Sequence, residues 1–204
     1  MNLPTFDRDA ARALIKEKAD APFSAFDIGD RAHRRQDRQL HAEAALLFCL
    51  AAERADAEYG ADQSKPNQAM NYLVRAGIAF NSGAQIETAE PLLRQAIAFD
   101  WGGRGLPNDT HMVEWAFFQL LINARHDAGR FAKLFDEAVS RCAEVGRDYA
   151  GIHPHQEALL EIAIGMEHRP IVERLAGKMA ERRPAKKASK ELLVRAKAFL
   201  ASPT

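Results

Sequence analysis

Residues 70–103 carry two amphipathic helical patterns separated by a four-residue connection, and this arrangement leaves few folds open. The first pattern, 71–81, sets Leu73, Ala76, Gly77 and Phe80 at helical spacing. The second, 87–100, does the same with Ala89, Leu93, Ala96, Ile97 and Phe99. Between them lies Ser82-Gly83-Ala84-Gln85, a short turn of small and polar residues. Helical periodicity continues elsewhere, over about 7–19, 25–36, 40–58, 67–82, 110–127, 131–147, 155–168, 170–182 and 189–201. No stretch shows the apolar–polar alternation with β-branched residues that marks a strand. The chain is therefore expected to be all-α. Several helix starts are written in the sequence. Ser24 stands three residues before Asp27 and can accept that residue's N–H, while Asp109 or Thr110 can cap the helix that contains Trp115. Pro66, Pro154 and Pro170 suit a first helical turn, where the missing N–H would have no partner anyway.

The 70–103 segment resembles a tetratricopeptide (TPR) repeat, two antiparallel helices that bury one another and stack on neighbouring pairs. A TPR hairpin needs small residues where its helices cross, and Gly77, Ala89 and Ala96 stand at that family's spacing, with Leu73, Phe80 and Leu93 filling the gaps. The resemblance implies a single domain of helical hairpins, 1–204, forming a short right-handed solenoid. Weaker pairs would lie at 25–58, 110–147 and 154–183, and a polar helix at 189–201 would close the stack against water. In the 25–58 pair, Ala32 would be the small residue of the first helix, with Ala44, Phe48 and Ala51 on the second. In the 110–147 pair, Gly129-Arg130-Phe131 looks like a TPR turn, and the helix around Trp115 is apolar nearly all round, as a helix covered on several sides must be. The 154–183 pair keeps amphipathic spacing at Leu159, Ile162, Ala163 and Met166.

TPR-like proteins bind peptides or other proteins in a concave groove lined by the first helix of each pair. Carried onto this chain, the groove-facing residues are Asn71, Val74, Arg75, Ile78 and Asn81 from the best repeat, with Gln119 and Asn123 from the next. Asparagine side chains can hold a peptide backbone and Arg75 can meet a carboxylate. The groove lacks a cluster of lysines, so a C-terminal carboxylate is not the expected ligand. Two jobs fit: a regulatory adaptor, or a small immunity protein that neutralises a toxin.

Composition is compatible with this reading. Hydrophobic residues make up 47% of the 204 and charged residues 27%, with formal net charge zero, which is ordinary for a globular chain able to bury a core. No apolar run approaches the ~18 residues of a membrane helix, and the N-terminal residues lack the features of a signal peptide. Cys49 and Cys142 sit on apolar helix faces, as buried thiols do, and suggest a reducing cytoplasm. Arginine outnumbers lysine 19 to 9 and alanine is abundant, which suggests a GC-rich bacterial source. The zero net charge conceals a gradient: from Gly165 onward ten Lys and Arg face four Asp and Glu, a surplus of +6, so the remainder carries −6. A basic end can serve nucleic acid or an acidic partner. No aromatics alternate with those charges, which weakens the case for single-stranded nucleic acid.

Catalytic and metal signals are sparse. His153-Pro154-His155 with Glu157 and Glu161 is the densest cluster, but a proline between the two histidines gives them no reason to converge, and a third ligand is missing. Arg35…His41 and Arg147…His153 resemble the Arg-x4-6-His signature of all-helical HEPN ribonucleases, in which arginine would steady phosphate charge and histidine would move a ribose proton. That pattern is short enough to arise by chance in an Arg-rich chain with seven histidines. The Gly-rich stretch 100–107 lacks the following Gly-Lys-Ser/Thr and the preceding strand of a phosphate-binding loop, and reads as a link with Trp101 packed back on the hairpin. The expectation is a non-enzymatic binding protein without cofactor or metal; a HEPN-like ribonuclease is the alternative.

Overall fold

A computed structural model describes residues 5–64, 67–99, 111–151 and 153–202, with backbone alone at 153 and 154. The described residues form ten α-helices and no strand: α1 (Arg8–Ile15), α2 (Ala25–Asp37), α3 (His41–Ala61), α4 (Ala69–Ser82), α5 (Ile86–Ala98), α6 (His111–Asn123), α7 (Ala128–Glu144), α8 (His153–Gly165), α9 (Arg169–Glu181) and α10 (Lys187–Ala201). A single 3₁₀ turn, Tyr149–Gly151, precedes α8. The protein is all-α. The expected caps at Asp109 and Thr110, the first-turn role of Pro66, and the 100–107 link with Trp101 lie outside the described residues.

Local chemistry explains the ends of the helices. Ser24 accepts the N–H of Asp27 at 3.1 Å, and its hydroxyl donates to the Asp27 carboxylate at 2.6 Å, so α2 starts where the sequence suggests. Asp127 caps α7 by accepting the Arg130 N–H at 2.9 Å. As a result Gly129-Arg130-Phe131, expected as a turn, forms the first turn of a helix. Helix α1 stops at Ile15, four residues before its expected end, because Lys16 turns left-handed at φ 54°. The α5 helix ends at Ala98 and leaves Phe99 extended.

One turn recurs. Gln39, Ala84 and Glu167 all have positive φ, at 61°, 60° and 57°. After each, the next N–H returns to the carbonyl five residues back: Leu40 to Arg35 at 2.9 Å, Gln85 to Phe80 at 2.8 Å, and His168 to Ala163 at 2.9 Å. This is the Schellman closure, which satisfies otherwise orphaned carbonyls. In all three the next helix begins two residues after the left-handed one. The pairs α2/α3, α4/α5 and α8/α9 are therefore hairpins built on the same turn.

Contacts cluster into two compact units, 1–119 and 120–204, with the division falling inside α6. In the first unit α2 packs on α3, α3 on α4 and α4 on α5, while α1 lies against α3. The α4/α5 crossing is close: a Cβ added to Gly77 would stand 2.7 Å from Leu93 Cδ2 and 3.5 Å from the Ala89 carbonyl. Leu73, Ala76, Ala89, Leu93 and Ala96 are fully buried around it, each large apolar side chain contributing ~1.5–3 kcal/mol. Between α2 and α4 the close approach falls at Gly29, whose added Cβ would meet the Tyr72 ring at 2.5 Å. Ala32, the expected small residue, is buried too. Behind α2 a polar network fixes the 16–24 connection. Glu17 accepts from Phe23 N at 2.8 Å and pairs with Arg54, whose other nitrogen donates to the Phe23 carbonyl at 2.9 Å.

In the second unit α8, α9 and α10 pack on one another, and the 3₁₀ turn touches α7 and α9. Gln156 is buried and donates to the carbonyls of Ala150 and Leu175, both at 3.1 Å, fastening the 3₁₀ turn and α9 to α8. Ser189 on α10 donates to Glu157 on α8. Of the amphipathic set expected on α8, Leu159 and Ala163 are buried, whereas Ile162 and Met166 are half-buried and Leu160 takes an inward place.

Candidate functional site

Helices α3 and α5 flank α4, and its inward positions 69, 70, 72, 73, 74, 76, 77, 79 and 80 are all buried. A narrow stripe at Asn71, Arg75 and Ile78 remains half-open, one position per turn, and at the end of the helix Asn81 is half-buried and Ser82 exposed. Val74, expected on the groove, is fully buried and belongs to the core. Its position three residues after Asn71 and one before Arg75 puts it beyond the edge of the open stripe, among the packed side chains.

Facing this stripe is a cavity of about 260 Å³ whose described lining is Gln36 from α2, Arg75 and Ile78 from α4, and His111, Met112 and Trp115 from α6. Of these, α2 and α4 are the first helices of the hairpins α2/α3 and α4/α5. Arg75 Nε donates to Asn71 Oδ1 at 2.7 Å, so one predicted groove residue orients another. Asn81 Nδ2 donates to Gln119 Oε1 at 3.0 Å, linking α4 to α6. Asn81 and Gln119 thus meet each other, and Asn123 is half-buried one turn further on, outside the described cavity lining.

The described lining sets one guanidinium, Arg75, among apolar and polar side chains. Burial, and then the Arg75 guanidinium, hold the His33 imidazole below its ordinary value, against the opposing charges of Asp37 and Asp30. His33 lies edge-on to Phe48 with ring centroids 4.9 Å apart. Trp115 is 37% exposed although its helix is otherwise largely covered. A cation steadied by an amide, beside an indole, an isoleucine and a methionine, can hold a carboxylate and pack an aliphatic neighbour together.

Gln36, His111, Met112 and Trp115 were not legible as site residues. The usable signal was the stripe His111, Trp115, Gln119 at four-residue spacing, and the nearly uniform apolarity of α6 masks it.

Elsewhere the chemistry candidates differ in what holds them. Arg35 pairs with Glu43 and donates to the Leu14 carbonyl at 2.8 Å, tying α2 to α1 and α3, so its guanidinium is aimed at the protein. The His41 Cβ faces Gly83. The side chain of His153 lies outside the described residues, which leaves the Arg147…His153 pattern without a described geometry. Burial pushes His155 down to about 4, so it is neutral at pH 7. Among the described residues no three His, Cys, Asp or Glu side chains are grouped to hold a metal ion. Cys49 and Cys142 are buried free thiols, and burial pushes Cys49 up to about 12. No described helix is long and apolar enough to cross a membrane.

Compared with protein-family models, with curated proteins and with solved structures, the chain matches none.

Proposed function

We propose that this protein is a non-enzymatic interaction module that receives a protein or peptide partner in the groove of α2, α4 and α6, its hairpins acting as TPR-like repeats stacked in order. The observation that carries the reading is the 260 Å³ cavity, lined by α2, α4 and α6 and holding Arg75, Ile78 and Trp115 in its wall. Interfaces concentrate binding energy in Arg and Trp anchors surrounded by apolar contacts, and this lining has that composition. The Asn71–Arg75 bond adds preorganisation, because the guanidinium is already oriented before a ligand arrives. An adaptor and a toxin-neutralising immunity protein are the two forms of that job the chain suits. A toxin gene adjacent to this one would favour the second.

The test is affinity capture from the source cells by the native chain, with Arg75→Glu and Ile78→Asp in parallel. A partner recovered by the native protein should be lost with each variant, its affinity falling by about tenfold or more, while the melting temperature stays close to native. A partner that both variants retain would place the binding surface elsewhere and end this reading.

A further inference from the structure

The second unit carries a groove of a different kind. It measures about 610 Å³ and is lined by Ala180, Arg183, Pro184, Ala185, Lys190, Leu193, Val194 and Lys197, where the end of α9 meets α10. Lys190, Leu193, Val194 and Lys197 follow one another at i, i+3, i+4 and i+7, so α10 presents a single amphipathic face to it. Val194, in the middle of α10, is 66% exposed.

The charges around it divide into two groups. Lys178 pairs with Asp148 and Glu181, Lys187 with Glu191, and Arg195 with Glu161. The three cations of the groove differ: the side chains of Arg183, Lys190 and Lys197 make no hydrogen bond or ion pair among the described residues. From Ala180 to Lys197 the chain holds seven Lys and Arg against two Asp and Glu, a local surplus of +5. The acids present are turned to neighbouring cations, and the groove keeps its positive rim over an apolar floor.

We infer that this groove is a second docking site, and that it takes an acidic amphipathic helical segment of a protein. The aliphatic stripe of that segment lies on Leu193 and Val194, and its carboxylates meet Lys190, Lys197 and Arg183. Lys190 and Lys197 are two turns apart, about 10 Å along the axis, which matches acids at i and i+7 of a bound helix. Nucleic acid suits the lining poorly. None of the eight residues is aromatic, so bases have nothing to stack on, and an apolar floor gains nothing from phosphates. A membrane surface suits it poorly as well, since Val194 is the one large apolar residue α10 exposes and it sits in a groove, whereas interfacial helices present a broad apolar face. The inference is independent of the α2/α4/α6 groove.

The experiment uses the full chain and an end-blocked, fluorescein-labelled peptide of about four helical turns, with leucines along one face bordered by glutamates. Fluorescence anisotropy should show saturable binding that weakens as salt is raised. The double variant Lys190→Glu/Lys197→Glu should lose about tenfold or more in affinity, and Val194→Ser about threefold or more. Arg75→Glu should leave this binding unchanged, which separates failure here from failure of the first groove. All four positions are at the surface or half-buried, and a circular-dichroism melt checks that each variant folds. Equal binding of a scrambled peptide of the same composition would overturn the proposal, because the site would then read charge alone. Tighter binding to oligothymidylate, or to phosphatidylserine vesicles, would overturn it in favour of those ligands. Self-association of the native chain that the lysine double variant abolishes would overturn it in favour of a second copy.

Discussion

The hairpins α4/α5 and α8/α9 share a turn and differ in what holds their helices together. In each, a left-handed non-glycine residue is followed by an N–H that bonds five residues back, and the second helix starts two residues on. At α4/α5 the lock is steric: Gly77 lets Leu93 come so close that one methyl group would collide, with the Ala89 carbonyl in ordinary contact beside it. At α8/α9 the glycines do nothing of this kind, since added Cβ atoms at Gly165 and Gly177 would meet no heavy atom within 4 Å. There the tie is polar, Gln156 giving its amide hydrogens to two carbonyls. One turn can thus serve two different packings, and the turn alone does not say which.

The largest expected effect falls on the steric lock. Leu93→Ala removes a fully buried side chain and should destabilise the protein by about 2–5 kcal/mol in chemical denaturation. The two sites should also be coupled. Gly77→Ala should destabilise the native chain, because the buried Leu93 cannot withdraw, yet be neutral or stabilising in a Leu93→Ala background, where the colliding atoms are gone and only alanine's helix preference remains. Additive effects in that double-mutant cycle would mean the crossing is looser than the 2.7 Å approach indicates.

The polar lock comes next. Gln156→Leu keeps the approximate volume but removes the amide that donates to the Ala150 carbonyl and adds a second bond at Leu175, whose carbonyl keeps its place inside α9, a cost of about 1–3 kcal/mol. Hydrogen exchange should show the loss around the 3₁₀ turn and α9, with the amides of α4 and α5 keeping their native protection. Uniform loss across both hairpins would deny the two locks their separateness.

The contrast also explains what was readable in the chain. A steric crossing leaves a trace in residue size at helical spacing, so Gly77, Ala89 and Leu93 announce theirs. A glutamine whose partners are backbone carbonyls leaves no trace, because carbonyls have no sequence identity, and Gln156 looks like any polar residue near a helix start. The ten helices and their approximate spans were legible for the first reason, through apolar periodicity. The groove was half legible. Arg75 and Ile78 follow from the open stripe of one helix, but Val74 was lost to the core because burial depends on how closely the flanking helices pack. Trp115 and His111 come from a helix whose uniform apolarity hides which side faces the cavity. The lack of ion pairs at Lys190 and Lys197 among the described residues was partly legible, since neither has an acid three or four residues away on α10 and Glu191 stands four residues after Lys187, with which it pairs.

The smallest effect is the sharpest comparison of the two hairpins, since it makes the same substitution in each. Gly177 lies inside α9, has ordinary helical φ, and faces open space, so an added methyl displaces nothing. Alanine there removes backbone freedom from the unfolded chain and the exposed helix interior gains its preference, which should stabilise by about 0.5–1 kcal/mol. At Gly77 the same gain is available, but the Leu93 Cγ and Cδ2 atoms at 2.8 and 2.7 Å outweigh it, and the sign reverses. Denaturant midpoints of the two single variants should therefore move in opposite directions with unchanged slopes. If both rise, the α4/α5 crossing accommodates a methyl group and its closeness is not what fixes the hairpin. If both fall, Gly177 faces a constraint that the open space around it does not reveal.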